Sequence, residues 1–88
     1  MTYRQQMTNF AAMNIKEKIG ARMKELREAK GLSQKDVAYA ADLDRSYVAG
    51  IENGARNVSS VNIEKIAKAL QVSIRTFFSD VKFEKYEK

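Results

Sequence analysis

The stretch QKDVAYAADLDRSYVAGIEN, residues 34–53, has the spacing of two short helices joined by a tight turn. Counting Gln34 as the first of twenty positions, the positions that such a unit buries (fourth, eighth, tenth, fifteenth and eighteenth) are all apolar: Val37, Ala41, Leu43, Val48 and Ile51. The fifth position, where the second helix crosses the first, holds the small Ala38. Asp42 occupies the turn position that usually holds glycine, and Asp is among the few residues that tolerate a left-handed backbone. We therefore predict two short helices that cross closely.

This arrangement is a helix-turn-helix, and the flanking sequence predicts further helices. A first helix is predicted from four apolar residues at helical spacing, Ile15, Ile19, Met23 and Leu26. It should end at Gly31, after which Ser33 and Asp36 form a capping pattern that opens the second helix. Asp44 is predicted to cap the third helix, and Gly54 can take the left-handed conformation that stops it.

Two more helices are predicted beyond this unit. Ser59 or Ser60 should cap a fourth helix, whose inner face is formed by Ile63, Ile66, Ala67 and Leu70. Ser73 should open a short fifth helix with three apolar residues, Ile74, Phe77 and Phe78. We expect residues 14–79 to form an all-α domain, residues 1–13 to be an N-terminal extension or the start of the first helix, and residues 80–88 to be a charged tail.

The composition excludes several kinds of chemistry. The 88 residues contain no His and no Cys, which removes zinc sites built on those residues, thiol nucleophiles and imidazole acid-base catalysis. We predict neither a metal nor a cofactor. No apolar run approaches the roughly 20 residues that span a bilayer, and no secretory signal is recognised, so we expect a cytoplasmic protein. A net charge of +5 and a pI near 9.6 suit a polyanionic partner but also occur on ordinary soluble domains.

The segment from Ile15 to Phe78 resembles the Cro and repressor-type helix-turn-helix domains of the xenobiotic response element family, through LREAKGLSQKDVA, IENGARN and IEKIAKAL. Within that family, DRSYVAGIENGARN is similar to the controller proteins of restriction-modification systems. The resemblance implies a five-helix, lambda-repressor-like domain that binds a palindromic double-stranded DNA operator as a homodimer. It also implies a nucleoid-associated regulator of its own gene and of the endonuclease gene, with RNA polymerase as a partner where it activates.

The resemblance and the side-chain chemistry together single out candidates for contact with DNA bases: Asp44, Arg45, Ser46, Tyr47 and Arg56. Arg45 is the main candidate for direct readout, because a guanidinium donates two hydrogen bonds to O6 and N7 of guanine. The other positions keep alternatives. Asp44 is either a helix cap alone or also a base contact, Tyr47 either meets DNA or packs against the next helix, and Arg56 is otherwise an ordinary exposed loop residue.

A second set of candidates would contact the DNA backbone: Ser33, Gln34, Lys35, Asn53 and Asn57. Gln34 opens the second helix, where backbone N–H groups and the helix dipole favour a phosphate; a solvated side chain is the alternative. Ala49 and Gly50 are small, which we interpret as room for the third helix to approach the major groove closely.

The resemblance also implies structural roles for two further groups of residues. Arg27 and Glu52 are expected to form a partly buried ion pair that fixes the third helix. The predicted dimer interface is formed by Ile74, Phe77 and Phe78. Together these residues give the last helix more apolar surface than a terminal helix needs. We expect one Phe side chain to point inward and the other to cross the interface, the alternative being that both seal the core.

Three classes of function follow from these patterns. The first is a transcriptional regulator, either a controller protein or alternatively a phage-type repressor or the DNA-binding antitoxin of a toxin-antitoxin pair. The second is a protein-interaction module that uses this fold without DNA, which Gln34 and Arg45 disfavour. An enzyme is the least favoured, because the sequence has no converging catalytic pair and no phosphate-binding glycine loop.

Overall fold

The computed structural model describes residues 13–84, which form five α-helices and one short 3₁₀ helix. The α-helices are α1 Ile15–Ala29, α2 Gln34–Ala41, α3 Arg45–Glu52, α4 Ser60–Ala69 and α5 Ile74–Phe77, and the 3₁₀ helix is Val81–Phe83. This part of the chain contains no strand, and the predicted all-α, five-helix fold is confirmed. Within residues 13–84 no helix is both long and apolar enough to cross a membrane.

A capping box fixes the start of α1. The side chain of Asn14 accepts a hydrogen bond from the backbone N–H of Glu17 at 2.9 Å, and the Glu17 carboxylate accepts one from the Asn14 N–H at 2.9 Å. The helix therefore begins at Ile15, and Met13 lies before it. The rest of the extension predicted for residues 1–13 lies outside the described residues.

The core takes side chains from all five α-helices. Its buried apolar members are Ile19, Met23, Val37, Ala38, Ala41, Val48, Ile51, Ile66, Ala67, Leu70 and Phe77. Leu43, the remaining apolar position of the quoted stretch, is half-buried against the same cluster. Ile15, which was counted with the apolar residues of the first helix, does not join the core. It is 57% exposed, because it stands in the first turn of α1, one turn before the buried Ile19.

The turn between α2 and α3 has the geometry that its sequence predicts. Asp42 adopts the left-handed conformation, with φ 58° and ψ 50°, and its carboxylate is exposed. The N–H of Leu43 then donates to the carbonyl of Ala38 at 2.9 Å, which closes the end of α2. At the other end of α2, Ser33 and Asp36 form the expected capping box.

One of the two phenylalanines at the end of α5 points inward, as expected. Phe77 is only 1% exposed and lies in the core of the single chain, so its assignment to a dimer interface is wrong. Ile74, in contrast, is 42% exposed, and Phe78 is half-buried. α5 has only one turn, which packs against α1 and α4, so few of its side chains can be buried.

The first residues of the predicted charged tail, residues 80–88, pack on the domain. Lys82 is 7% exposed, with its Nζ 3.0 Å from Oδ1 of Asp80 and 3.3 Å from Oε1 of Glu25 on α1, and Phe83 packs against the core. Burial alone raises the pKa of Asp80, but hydrogen bonds from the backbone N–H and the ammonium group of Lys82 outweigh it and lower this pKa. Ionic contacts therefore hold residues 80–83 on the domain; residues 85–88 lie outside the described part.

Arg22 on α1 joins the same region to the end of α5. Its Nε donates to the carbonyl of Phe77 at 2.7 Å and its Nη2 donates to that of Thr76 at 2.8 Å, two carbonyls at the C-terminal end of α5. Its Nη1 lies 2.9 Å from Glu25 and 3.4 Å from Asp80. One guanidinium thus fixes α5 and the following turn on α1.

Close contact between α1 and α3 depends on a glycine. A Cβ atom added at Gly20 would overlap the carbonyl oxygen of Ile51 and lie 3.0 Å from that of Glu52. Both atoms belong to the backbone at the end of α3, so neither can move aside as a side chain does. Gly20 therefore sets the distance at which α1 crosses the end of α3.

We predict that Gly20→Ala destabilises the protein by about 1–3 kcal/mol, the usual cost of overpacking, although alanine is favoured over glycine by about 1 kcal/mol in an ordinary helix. Denaturant unfolding would measure this loss. Gly50→Ala is the matched control, because a Cβ there meets a side chain instead of backbone. A Gly20→Ala protein as stable as the wild type would contradict this account of the crossing.

Candidate nucleic-acid interface

The first turn of α3 carries exposed polar side chains. Arg45 and Ser46 are exposed, whereas Val48 and Ile51, further along the helix, are buried. Asp44 is the N-cap residue and has the extended backbone of one, but its carboxylate makes no capping hydrogen bond, contrary to the role expected for it. The start of α3 therefore presents a guanidinium, a hydroxyl and a carboxylate at the surface.

Tyr47, the third residue of α3, packs against the neighbouring helix. It is half-buried, its hydroxyl donates to the carbonyl of Asn57 at 3.2 Å, and the same hydroxyl accepts a hydrogen bond from Nδ2 of Asn62 on α4 at 3.1 Å. Tyr47 was expected either to meet DNA or to pack against the next helix, and this geometry is the packing arrangement. The tyrosine links α3, the loop after it, and α4.

Arg56 lies in that loop, exposed, with its guanidinium carbon 5.0 Å from the centre of the Tyr47 ring. This distance is typical of a cation–π contact. The aliphatic part of Arg56 lies on Gly50, where an added Cβ would overlap Cγ of the arginine. The missing side chain of Gly50 thus makes room for Arg56, which differs from our interpretation that it makes room for DNA.

Glu52 ends α3 inside the protein, where its side chain is 2% exposed. Nε of Arg27 donates to its Oε2 at 2.7 Å, and Nη2 of Arg27 donates to its Oε1 at 3.0 Å. The remaining guanidinium nitrogen, Nη1, donates to the carbonyl of Leu32 at 2.8 Å. The hydrogen bonds to Glu52 raise the pKa of Arg27 despite its burial. This bidentate ion pair holds the end of α3 on α1.

The candidates for backbone contact lie around the start of α2 and the end of α3. Lys35, Asn53 and Asn57 are exposed. The Ser33 hydroxyl accepts the capping hydrogen bond from the N–H of Asp36, and Nε2 of Gln34 donates to Oε1 of Glu52 at 3.0 Å. Gln34 is thus held at the start of α2 by the same carboxylate that holds α3.

A second candidate surface lies where α4 and α5 meet. An open apolar groove is lined by Ser60, Val61, Ile63, Glu64, Ile74 and Phe78. Val61 is 61% exposed and Ile74 is 42% exposed, so both leave apolar surface in contact with water. Of the three residues assigned to a dimer interface, two line this groove.

Sequence reasoning did not identify Asn62 or Arg22. Asn62 lies fifteen positions from Tyr47 and Arg22 lies 55 positions from Phe77, so nothing in the local spacing predicts either contact. The one available signal was weak: each is a polar residue beside the apolar face of a helix. Within residues 13–84, no group of three or more acidic side chains is placed to hold a metal ion.

We predict that Glu52→Ala lowers both the stability and the affinity for DNA, whereas Arg45→Ala lowers the affinity alone. Loss of Glu52 leaves the guanidinium of Arg27 buried without its partner, at a cost of about 3–5 kcal/mol in a fully buried site. Loss of the exposed Arg45 should remove roughly 1–3 kcal/mol of base discrimination. Thermal unfolding and DNA titration would measure both, and equal losses of Tm would defeat this division of roles.

Comparison with known proteins identifies the family. A helix-turn-helix family model matches residues 23–77. The chain is 47% identical over 72 residues to the control protein C.MunI of Mycoplasma sp, covering 81% of this chain and 97% of that protein.

Two solved structures have a similar fold. The restriction-modification controller protein C.AhdI from Aeromonas hydrophila is 56% identical with a TM-score of 0.69, over 72% of this chain and 96% of that one. The controller protein C.Esp1396I, in a tetramer bound to its natural 35 base-pair operator, is 39% identical with a TM-score of 0.72, over 75% of this chain and 87% of that one. The chain therefore belongs to the helix-turn-helix family of DNA-binding transcriptional regulators and, within it, to the controller proteins of restriction-modification systems.

Proposed function

We propose that the protein binds a palindromic DNA operator as a homodimer and thereby regulates transcription of its own gene and of an endonuclease gene. One observation carries the proposal: the end of α3 is fixed inside the protein by Glu52, while its first turn exposes Arg45 and Ser46. A helix held in this way can enter the major groove with its N-terminal residues against the base edges. Arg45 then reads guanine through two hydrogen bonds.

Contacts to the phosphates would surround this helix. Lys35 is exposed in the first turn of α2, and Asn53 and Asn57 are exposed after α3. Gln34 can keep its hydrogen bond to Glu52 and still offer its second N–H to a phosphate, because an amide nitrogen has two donors. In this proposal the network at Glu52 sets the distance between the phosphate contacts and the base contacts.

The apolar groove formed by Val61, Ile63, Ile74 and Phe78 is the surface for a second copy of the chain. One domain of this size covers few base pairs, and a two-fold dimer reads two half-sites roughly 34 Å apart. The relative C.Esp1396I binds its operator as a tetramer, which supports an assembly of more than one copy on the DNA. A dimer that buries the groove would also remove the exposed Val61 and Ile74 from water.

The position of the operator relative to a promoter decides whether such a protein activates or represses. Where it activates, RNA polymerase is the further partner. A DNA-bound regulator of this kind acts at the nucleoid in the cytoplasm.

Selection of bound sequences from a random duplex pool tests the proposal, performed with the wild type and with Arg45→Ala. We expect a palindromic pair of half-sites, with a guanine preference in each that disappears in the variant. If the folded wild type enriches no sequence at low salt, the proposal fails and the fold serves a protein partner instead. Affinity should also fall by about 10³–10⁵-fold between 50 and 200 mM salt if 6–10 phosphates are contacted.

Val61→Asp should convert the dimer to a monomer, because it places a charge in the apolar groove of both copies. Val61 is exposed in the single chain, so the fold should remain intact. Ile15→Asp is the matched control, since Ile15 is also exposed and an acid is favoured in the first turn of a helix. Sedimentation at tens of micromolar would measure the change; a wild-type monomer, or equal effects of both variants, would remove the groove from the interface.

A further inference from the structure

The position of Arg56 is determined by contacts on both its stem and its head. The stem lies against Gly50, at the place where any other residue would put a Cβ atom. The guanidinium lies over the Tyr47 ring, 5.0 Å from its centre. Both supports belong to α3, although Arg56 itself is four residues beyond the end of that helix.

Tyr47 is in turn held from the other side. Its hydroxyl accepts from Asn62 of α4 and donates to the carbonyl of Asn57, so neither the ring nor the loop can shift without breaking a hydrogen bond. Asp44, Tyr47, Arg56 and Asn62 line one open depression at the start of α3. Arg56 therefore lies at the same end of α3 as Asp44, one of the candidates for base contact.

We propose that Gly50 and Asn62 are positioning residues that hold Arg56 ready for contact with DNA. Gly50 does so by leaving space for the arginine stem on α3, and Asn62 does so by fixing the Tyr47 ring on which the guanidinium rests. This inference rests on the proposed DNA binding. It gives Gly50 a role different from close approach to the major groove.

The physical gain is preorganisation. A free loop arginine loses rotamer freedom when it binds, and the cost of ordering one such side chain corresponds to roughly a 2- to 12-fold change in Kd. In the free protein Arg56 is already held by the stem contact and the ring contact. Loss of either contact should weaken DNA binding while leaving the fold intact.

A double-mutant cycle tests the role of Gly50, with the wild type, Gly50→Ala, Arg56→Ala and the double variant. Each would be titrated against the operator obtained by selection, and its thermal unfolding measured. We expect Gly50→Ala to keep or raise Tm, because alanine is favoured in helices, and to weaken binding on the order of tenfold. In the Arg56→Ala background the same substitution should change Kd by less than about twofold, because the side chain that it displaces is absent.

Other outcomes would overturn the inference. If Gly50→Ala weakens binding equally in both backgrounds, its Cβ obstructs DNA directly. If it lowers Tm in both backgrounds, its role is packing. A wild type that selects no operator would defeat the proposed function as well, whereas a wild type that binds normally with an additive cycle would defeat only this inference.

Asn62→Ala approaches the same arrangement from α4 without adding any atom near the DNA. It removes the hydrogen bond to the Tyr47 hydroxyl, so we expect a several-fold loss of affinity that also disappears in the Arg56→Ala background. Asn62→Ser, which can still donate a hydrogen bond but is shorter, should recover part of the loss. An Asn62→Ala protein that binds like the wild type would show that Tyr47 needs no support from α4.

Discussion

The buried carboxylate of Glu52 connects α1, α2 and α3 at a single point. A carboxylate at the last residue of a helix faces the partial negative charge of the helix end and, when buried, also loses its hydration. Arg27 compensates for both through two hydrogen bonds, and Gln34 provides a third. Because Arg27 also binds the carbonyl of Leu32, the same cation fixes the loop between α1 and α2. The Glu52 carboxylate thus ties both α2 and α3 to α1.

This anchoring divides α3 into two functional ends. Its eight residues span only about 12 Å, so a side chain at the first turn moves little once the last turn is fixed. Gly20 permits the backbone contact at the fixed end, and Arg45 stands at the other. Arg56 lies outside the helix and gains nothing directly from Glu52, so it requires its own support from Tyr47 and Gly50.

The helix-turn-helix could be predicted in detail because its constraints are local. Ser33 caps α2 and Asp42 makes the left-handed turn that ends it. The spacing of the apolar residues between them fixes which face of α2 is buried. Each of these features acts within a few residues, where steric and hydrogen-bonding rules leave few alternatives. The pairing of Arg27 with Glu52 is not local; the expectation came from the resemblance, and the structure contains the contact.

The features that sequence reasoning did not predict depend on residues distant in the chain. Only one of the two phenylalanines at the end of α5 is buried where that helix packs against α1 and α4. Lys82 is likewise buried with its Nζ near a carboxylate on α1. Gly50 illustrates the limit most clearly. The sequence shows only that a glycine stands on the DNA-binding helix. It does not show whether the space left by the missing side chain faces the major groove or another part of the protein. Only the position of the Arg56 stem shows that, in the free protein, that space is already occupied.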